Sequence, residues 1–196
     1  MSILLLGCVF AVMLFTVIYD IRYKDIFLIS PLLVWVFAIL YHLVNNVGLW
    51  GLLDASVSGL FLFVLGLLLY ITNATGLGDV FLFWSLGFLV GKLELSILLL
   101  VFTMICFIPF LVVYVVWYWK KQGYDITLNG FLRQIPVKDL REGMVLSQSK
   151  LWDGLKKEDI EILREAHDPD YQIWIREGIP FTPALLCGLI WLFLIL

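Results

Sequence analysis

Charge is scarce in this chain, and what there is has no strong sign. The 13 Lys plus Arg stand against 16 Asp plus Glu among 196 residues, a net of −3, and the basic residues lie outside the apolar runs. A nucleic-acid surface needs a basic patch, so no nucleic-acid partner is expected. Cysteine is rarer still. Cys8, Cys106 and Cys187 are far apart, each inside an apolar run and without paired spacing, which excludes a disulfide framework and a thiolate metal site. They are expected to behave as small buried hydrophobes. Of the two histidines, His167 falls in a loop-like Ala-His-Asp-Pro stretch with no second histidine nearby, so neither a metal nor any other cofactor is expected. An internal repeat is lacking as well.

What remains is apolar: 62% of the residues are hydrophobic and the mean hydropathy is +1.00. A soluble chain of this length could not bury so much apolar surface, which makes lipid the expected solvent. A spanning helix needs about 20 largely apolar residues. Runs at 2–19, 26–47, 49–72, 80–91, 95–119 and 179–196 predict six transmembrane helices, an all-α polytopic membrane protein. The first run has no basic residue ahead of it and no small-residue cleavage site after it, so it is expected to be a retained span. The run 80–91 is too short to cross straight and needs extension or shielding by its neighbours. Gly87 with Gly91, and Gly51 with Ala55 and Gly59, form small-residue rows suited to helix packing.

The chain thus divides into 1–119 with five helices, a hydrophilic stretch 120–178, and a last helix 179–196. The middle stretch holds ten Lys plus Arg against eleven Asp plus Glu, a net of −1. It reads as a small mixed-charge α+β domain, with an amphipathic helix over 154–166 and a strand over 171–176. Basic residues follow the first run (Arg22, Lys24) and the fifth (Lys120, Lys121, Arg133), and the outer loops offer only Lys92. The enrichment of Lys and Arg in cytoplasmic loops then predicts a multi-pass protein of the cell membrane with both termini outside and the small domain in the cytoplasm.

Two carboxylates stand where a membrane should forbid them. An aspartate within a spanning helix costs about 2.5 to 3.5 kcal/mol at the centre and less toward the interface, so such a residue needs a reason. Asp20 ends the first run in Tyr19-Asp20-Ile21-Arg22, and Asp79 opens the fourth in Gly76-Leu77-Gly78-Asp79. Gly76 and Gly78 lack Cβ atoms and would permit unusual dihedrals and close approach of another chain, such as an extended substrate. They also fit a simple turn with Asp79 as a first-turn residue. The inferred topology puts both aspartates on the cytoplasmic side. His42 and Asp54 are expected at the outer interface.

The segment Gly76-Leu77-Gly78-Asp79 resembles the Gly-x-Gly-Asp signature of membrane aspartyl proteases, and Asp20-Ile21-Arg22-Tyr23-Lys24-Asp25-Ile26 resembles the Asp-x-Arg-x-x-x-Ile stretch of prepilin peptidases. The likeness extends over nearly the whole chain and is greatest to the archaeal prepilin and preflagellin peptidases. Phe27 stands where that family often has Pro, and Phe81 where it often has Lys. The resemblance implies an aspartic endopeptidase with Asp20 and Asp79 catalytic. Its partner would be a type IV prepilin or archaellin precursor, whose short basic leader is cut at the cytoplasmic face. No counterpart of the cysteine-rich domain of bacterial members is present, so proteolysis without N-methyl transfer is implied.

In such an enzyme one carboxylate takes a proton from water while its neighbour, protonated, donates to the carbonyl oxygen; two close carboxyl groups cannot both ionise. The helix dipole favours charge on Asp79, at a helix start, over Asp20, at a helix end, although Arg22 opposes that preference. Asp25 is expected at the interface as a candidate contact for a basic leader. Tyr19 is either a hydrogen-bonding neighbour of the site or an interfacial anchor. Two rival readings remain. Tyr19-Asp20, Gly-Leu-Gly-Asp and Pro183-Ala184-Leu185 also resemble presenilin and signal peptide peptidase motifs. In a different class, a small ion- or proton-coupled transporter would use the aspartates as ion sites.

Overall fold

A computed structural model of the chain describes residues 1–23, 26–72, 75–122, 125–127, 130–149 and 154–196. Two units divide it, 1–113 with 180–196, and 114–179. The first is wholly helical. It contains α1 (Ser2–Tyr23), α2 (Ile29–Val44), α3 (Gly48–Ile71), α4 (Leu77–Val90), most of α5 (Leu93–Gln122) and, after the second unit, a C-terminal helix at Thr182–Ile195.

The apolar runs become helices, but of unequal length. Three are long and apolar enough to cross a membrane: α1, α3 and the stretch Leu93–Val116 of α5. Three others are apolar but short, at 16, 14 and 14 residues, so six full-length spans are not found among the described residues. Local chemistry sets the short ends. Gly91, in the left-handed region at φ 79°, closes α4. Pro183, in the first turn of the C-terminal helix, fits there because a first-turn N–H has no helical partner.

The shielding expected for the fourth run is present. Nine of the 14 residues of α4 are buried, among them Val80, Leu82, Phe83, Leu86 and Leu89, and it packs against α2 and α3. A Cβ on Gly87 would lie 2.7 Å from Ser58 O and 2.9 Å from Gly59 Cα, so α3 and α4 touch backbone to backbone. Gly51 meets no neighbouring helix, so the expected second row is only partly used.

The last carbonyls of a buried helix must find donors, because lipid supplies none. Ser58 Oγ donates to Gly87 O at 2.8 Å, Ser96 Oγ lies 2.6 Å from Ser58 Oγ, and His42 Nε2 lies 2.8 Å from Phe88 O. With one proton on each hydroxyl, the consistent assignment has Ser96 donating to Ser58. His42, expected at the outer interface, is buried among the helices: only 5% of it is exposed, and it works as a cap for α4. Asp54 is exposed. The cysteines are less buried than expected, with Cys187 exposed and Cys8 and Cys106 half-buried.

The second unit carries an antiparallel sheet of β1 (Asp125–Thr127), β2 (Gly130–Pro136), β3 (Val145–Leu146) and β4 (Gln172–Glu177) in the order β1-β2-β4-β3. Helix α6 (Lys157–Ala166) buries Ile160, which joins Ile135, Val137, Leu140, Leu155 and Ile175 in one core. It starts later than the amphipathic pattern indicated, because Asp159 accepts the Lys156 N–H at 2.9 Å and caps the helix there. The last helix of the chain, Thr182–Ile195, is α7.

Candidate active site

Asp20 lies in the last turn of α1 with 6% of its surface exposed. Its Oδ2 accepts two hydrogen bonds from Thr182, the first residue of α7: the hydroxyl at 2.7 Å and the backbone N–H at 3.2 Å. Thr182 is fully buried. Its N–H belongs to a helix start and has no partner within α7, so Asp20 satisfies a donor that would otherwise be stranded.

Asp79 occupies the first turn of α4 and is half-buried. Its Oδ2 accepts the Gly76 N–H at 3.0 Å, and Gly76 O accepts the Asp79 N–H at 3.2 Å. Gly76, at φ −81° and ψ 164°, and Gly78, inside the helix, have ordinary backbone angles. The expected need for unusual dihedrals is therefore corrected. Close approach is the real requirement, and only at Gly78: a Cβ there would lie 2.7 Å from Ile26 Cβ and 3.3 Å from Ile26 O. At Gly76 the nearest atom would be Asp79 Oδ2, at an ordinary 3.7 Å. The neighbour that needs the space is this chain's own Ile26, buried at 5% exposure, and not a second strand.

That contact joins the two motifs, since Ile26 ends the stretch that begins at Asp20 and Gly78 precedes Asp79. A second bridge runs through rings. Phe83, one helical turn beyond Asp79, meets Phe181 at 5.8 Å between centroids, and Phe181 immediately precedes Thr182. The end of α1 and the starts of α4 and α7 therefore converge at one end of the helical unit, with Asp20 and Asp79 both there. The dipole preference drawn from sequence loses its basis, because Asp20, although at the end of α1, also faces the N-terminus of α7.

The other residues singled out are placed less centrally. Tyr19 belongs to an aromatic row with Tyr23 at 4.5 Å, Phe27 at 5.7 Å and Phe15 at 6.2 Å. Arg22 is exposed, with its guanidinium 5.5 Å from the Tyr23 ring centroid. Asp25 lies outside the described residues. Among the described residues no group of three or more His, Cys, Asp or Glu side chains could hold a metal ion. Thr182 is the residue that sequence reasoning missed. Its one signal was the Thr-Pro pair opening the last apolar run, a mark of a helix start that says nothing of a partner.

Chemically, two carboxyl groups from separate helices, each with one oxygen held by a helix-start N–H, can pass a proton to and from a water molecule. No family model, no curated protein and no solved structure matches the chain.

Proposed function

We propose that this chain is a polytopic membrane aspartyl endopeptidase of the prepilin-peptidase type. It removes the short basic leader of a type IV pilin-like or archaellin precursor at the cytoplasmic membrane face. On this reading all six apolar helices lie in the cell membrane with both termini outside, the short α2, α4 and α7 shielded by the long ones. What supports it is the convergence of Asp20 and Asp79 at one end of the helical unit, through Ile26 against Gly78 and Phe83 against Phe181.

The chemistry follows from the pair. The ionised carboxylate takes a proton from water as the water oxygen bonds to the scissile carbonyl carbon, and the protonated carboxyl gives its proton to the carbonyl oxygen. Collapse then breaks the carbon–nitrogen bond, with a proton returned to the leaving amine.

The test uses purified protein in lipid vesicles and a synthetic precursor carrying a basic leader before an apolar helix. Cleavage at that junction is expected, with Asp20→Asn and Asp79→Asn each lowering turnover at least about a thousandfold. Turnover retained by either variant overturns the proposal. One observation favours the presenilin-like alternative: Pro183-Ala184-Leu185 follows Thr182 beside Asp20. Product masses separate the two, since that reading requires cuts inside the apolar helix.

A further inference from the structure

We propose that Thr182 is the positioning residue of Asp20 in the reaction proposed above, a reading on which this inference rests. The terminal torsion of an aspartate is broad, so packing alone does not fix the plane of its carboxyl group. At Asp20 the plane is held from outside. Two donors of one residue, the Thr182 N–H at 3.2 Å and hydroxyl at 2.7 Å, converge on Oδ2. An oxygen that accepts two hydrogen bonds has both lone-pair directions occupied. Thr182 therefore fixes Oδ2, and through it the plane in which the Asp20 carboxyl group is presented to a water molecule.

The clamp is itself rigid. Thr182 is fully buried, and Pro183 after it fixes a φ suited to the helix start. Phe181 before it is held between Phe83 of α4, at 5.8 Å, and Phe107 of α5, at 5.1 Å. The Thr182 donors are thereby referenced to α4, the helix that carries Asp79. A hydrogen bond between Asp20 and any surface group would lack that reference.

The experiment compares Thr182→Val, which keeps shape and N–H but loses the hydroxyl, with Thr182→Ser, which keeps both donors. Kinetics are measured on the same precursor, with thermal unfolding recorded alongside. Positioning predicts that Thr182→Val lowers kcat about tenfold to a hundredfold with KM within about twofold, and that Thr182→Ser restores kcat to within about threefold. A role limited to joining α1 and α7 predicts instead a lower Tm with unchanged kcat in the folded fraction, which overturns the proposal. So does a Thr182→Ser variant as slow as Thr182→Val. A second readout stands apart from turnover: the carboxyl infrared bands of Asp20, assigned by difference against Asp20→Asn. They should be narrow and coincident in the parent and Thr182→Ser proteins, and shifted or broadened in Thr182→Val. If the parent protein cuts no precursor, the proposed function falls, while the bands still report whether Thr182 orients Asp20; identical bands in all three proteins overturn that too.

Discussion

Replacing Gly78 by alanine tests the contact that joins the two halves of the site. On helix propensity alone the change should help, since alanine gains up to about 1 kcal/mol over glycine within a helix. The structure predicts the opposite sign. The added Cβ would lie 2.7 Å from Ile26 Cβ, and ordinary contact begins at 3.4 Å, so Ile26 or the start of α4 must move by at least about 0.7 Å. The obstructing atom is next to the backbone and cannot swing aside. Overpacking of this kind costs about 1 to 3 kcal/mol, leaving a net loss of up to about 2 kcal/mol. The effect on turnover should be larger, because Asp79 follows immediately and a misplacement near 1 Å at a reacting group costs about a hundredfold.

Gly76→Ala is the control. Its Cβ meets only Asp79 Oδ2 at 3.7 Å and its backbone is extended, so stability and turnover should stay near those of the parent. Thermal unfolding in detergent and precursor cleavage read both variants. A Gly78→Ala protein as stable and active as the parent, or a Gly76→Ala protein equally impaired, would refute the reasoning. Ile26→Ala should not rescue Gly78→Ala, because the clashing atom is the Cβ that alanine retains.

Three further outcomes are expected. Ser58→Ala removes the partner of the buried Ser96 hydroxyl and leaves Gly87 O with the Gly91 N–H alone, so stability should fall by about 1 kcal/mol or more in thermal unfolding, with cleavage by the folded protein unchanged. Gly91→Ala combines a left-handed φ of 79° with a Cβ 2.8 Å from His42 Cε1; it should destabilise by more than about 1 kcal/mol on the same measurement. A Cβ on Gly188 of α7 would lie 2.8 Å from Thr103 N of α5, so the two helices cross closely one residue from Cys187 and one turn from Cys106. Copper–phenanthroline with oxygen should therefore join the two thiols in a Cys8→Ala background. Two thiols still free to alkylate, counted by mass spectrometry, would contradict the α5–α7 crossing.

The features legible in the sequence were those written over short distances. Asp20 and Asp79 stand out because an acid in an apolar run is costly wherever it lands, and Gly76 and Asp79 are three residues apart, so their turn is local. Six helices follow from hydropathy alone. The partner of Asp20 lies 162 residues away, and nothing in Thr182 distinguishes a carboxylate clamp from an ordinary helix start. The partner of His42 was hidden for the same reason: its position in a run says how far it lies from a loop, whereas its burial depends on where α4 ends. Strands of three and two residues, β1 and β3, are too short to carry an alternating pattern.

The length of α4 connects these misreadings to the site. A helix of 14 residues is about 21 Å long, against an apolar thickness of about 30 Å. On the membrane reading, an Asp79 at one surface leaves the other end of α4 about 9 Å short of the opposite surface, where its last carbonyls depend on protein donors. His42 from α2 serves Phe88 O there, and Ser58 from α3 adds a second bond to Gly87 O beside the Gly91 N–H. They also fix α4 along its axis, since sliding it by one residue would break both bonds and bring a new residue against Ile26. The buried polar group at one end of the helix and the half-buried acid at the other are, on that reading, two results of a single short span. On the proposed reading, the cap at the far end sets the depth at which Asp79 would meet Asp20.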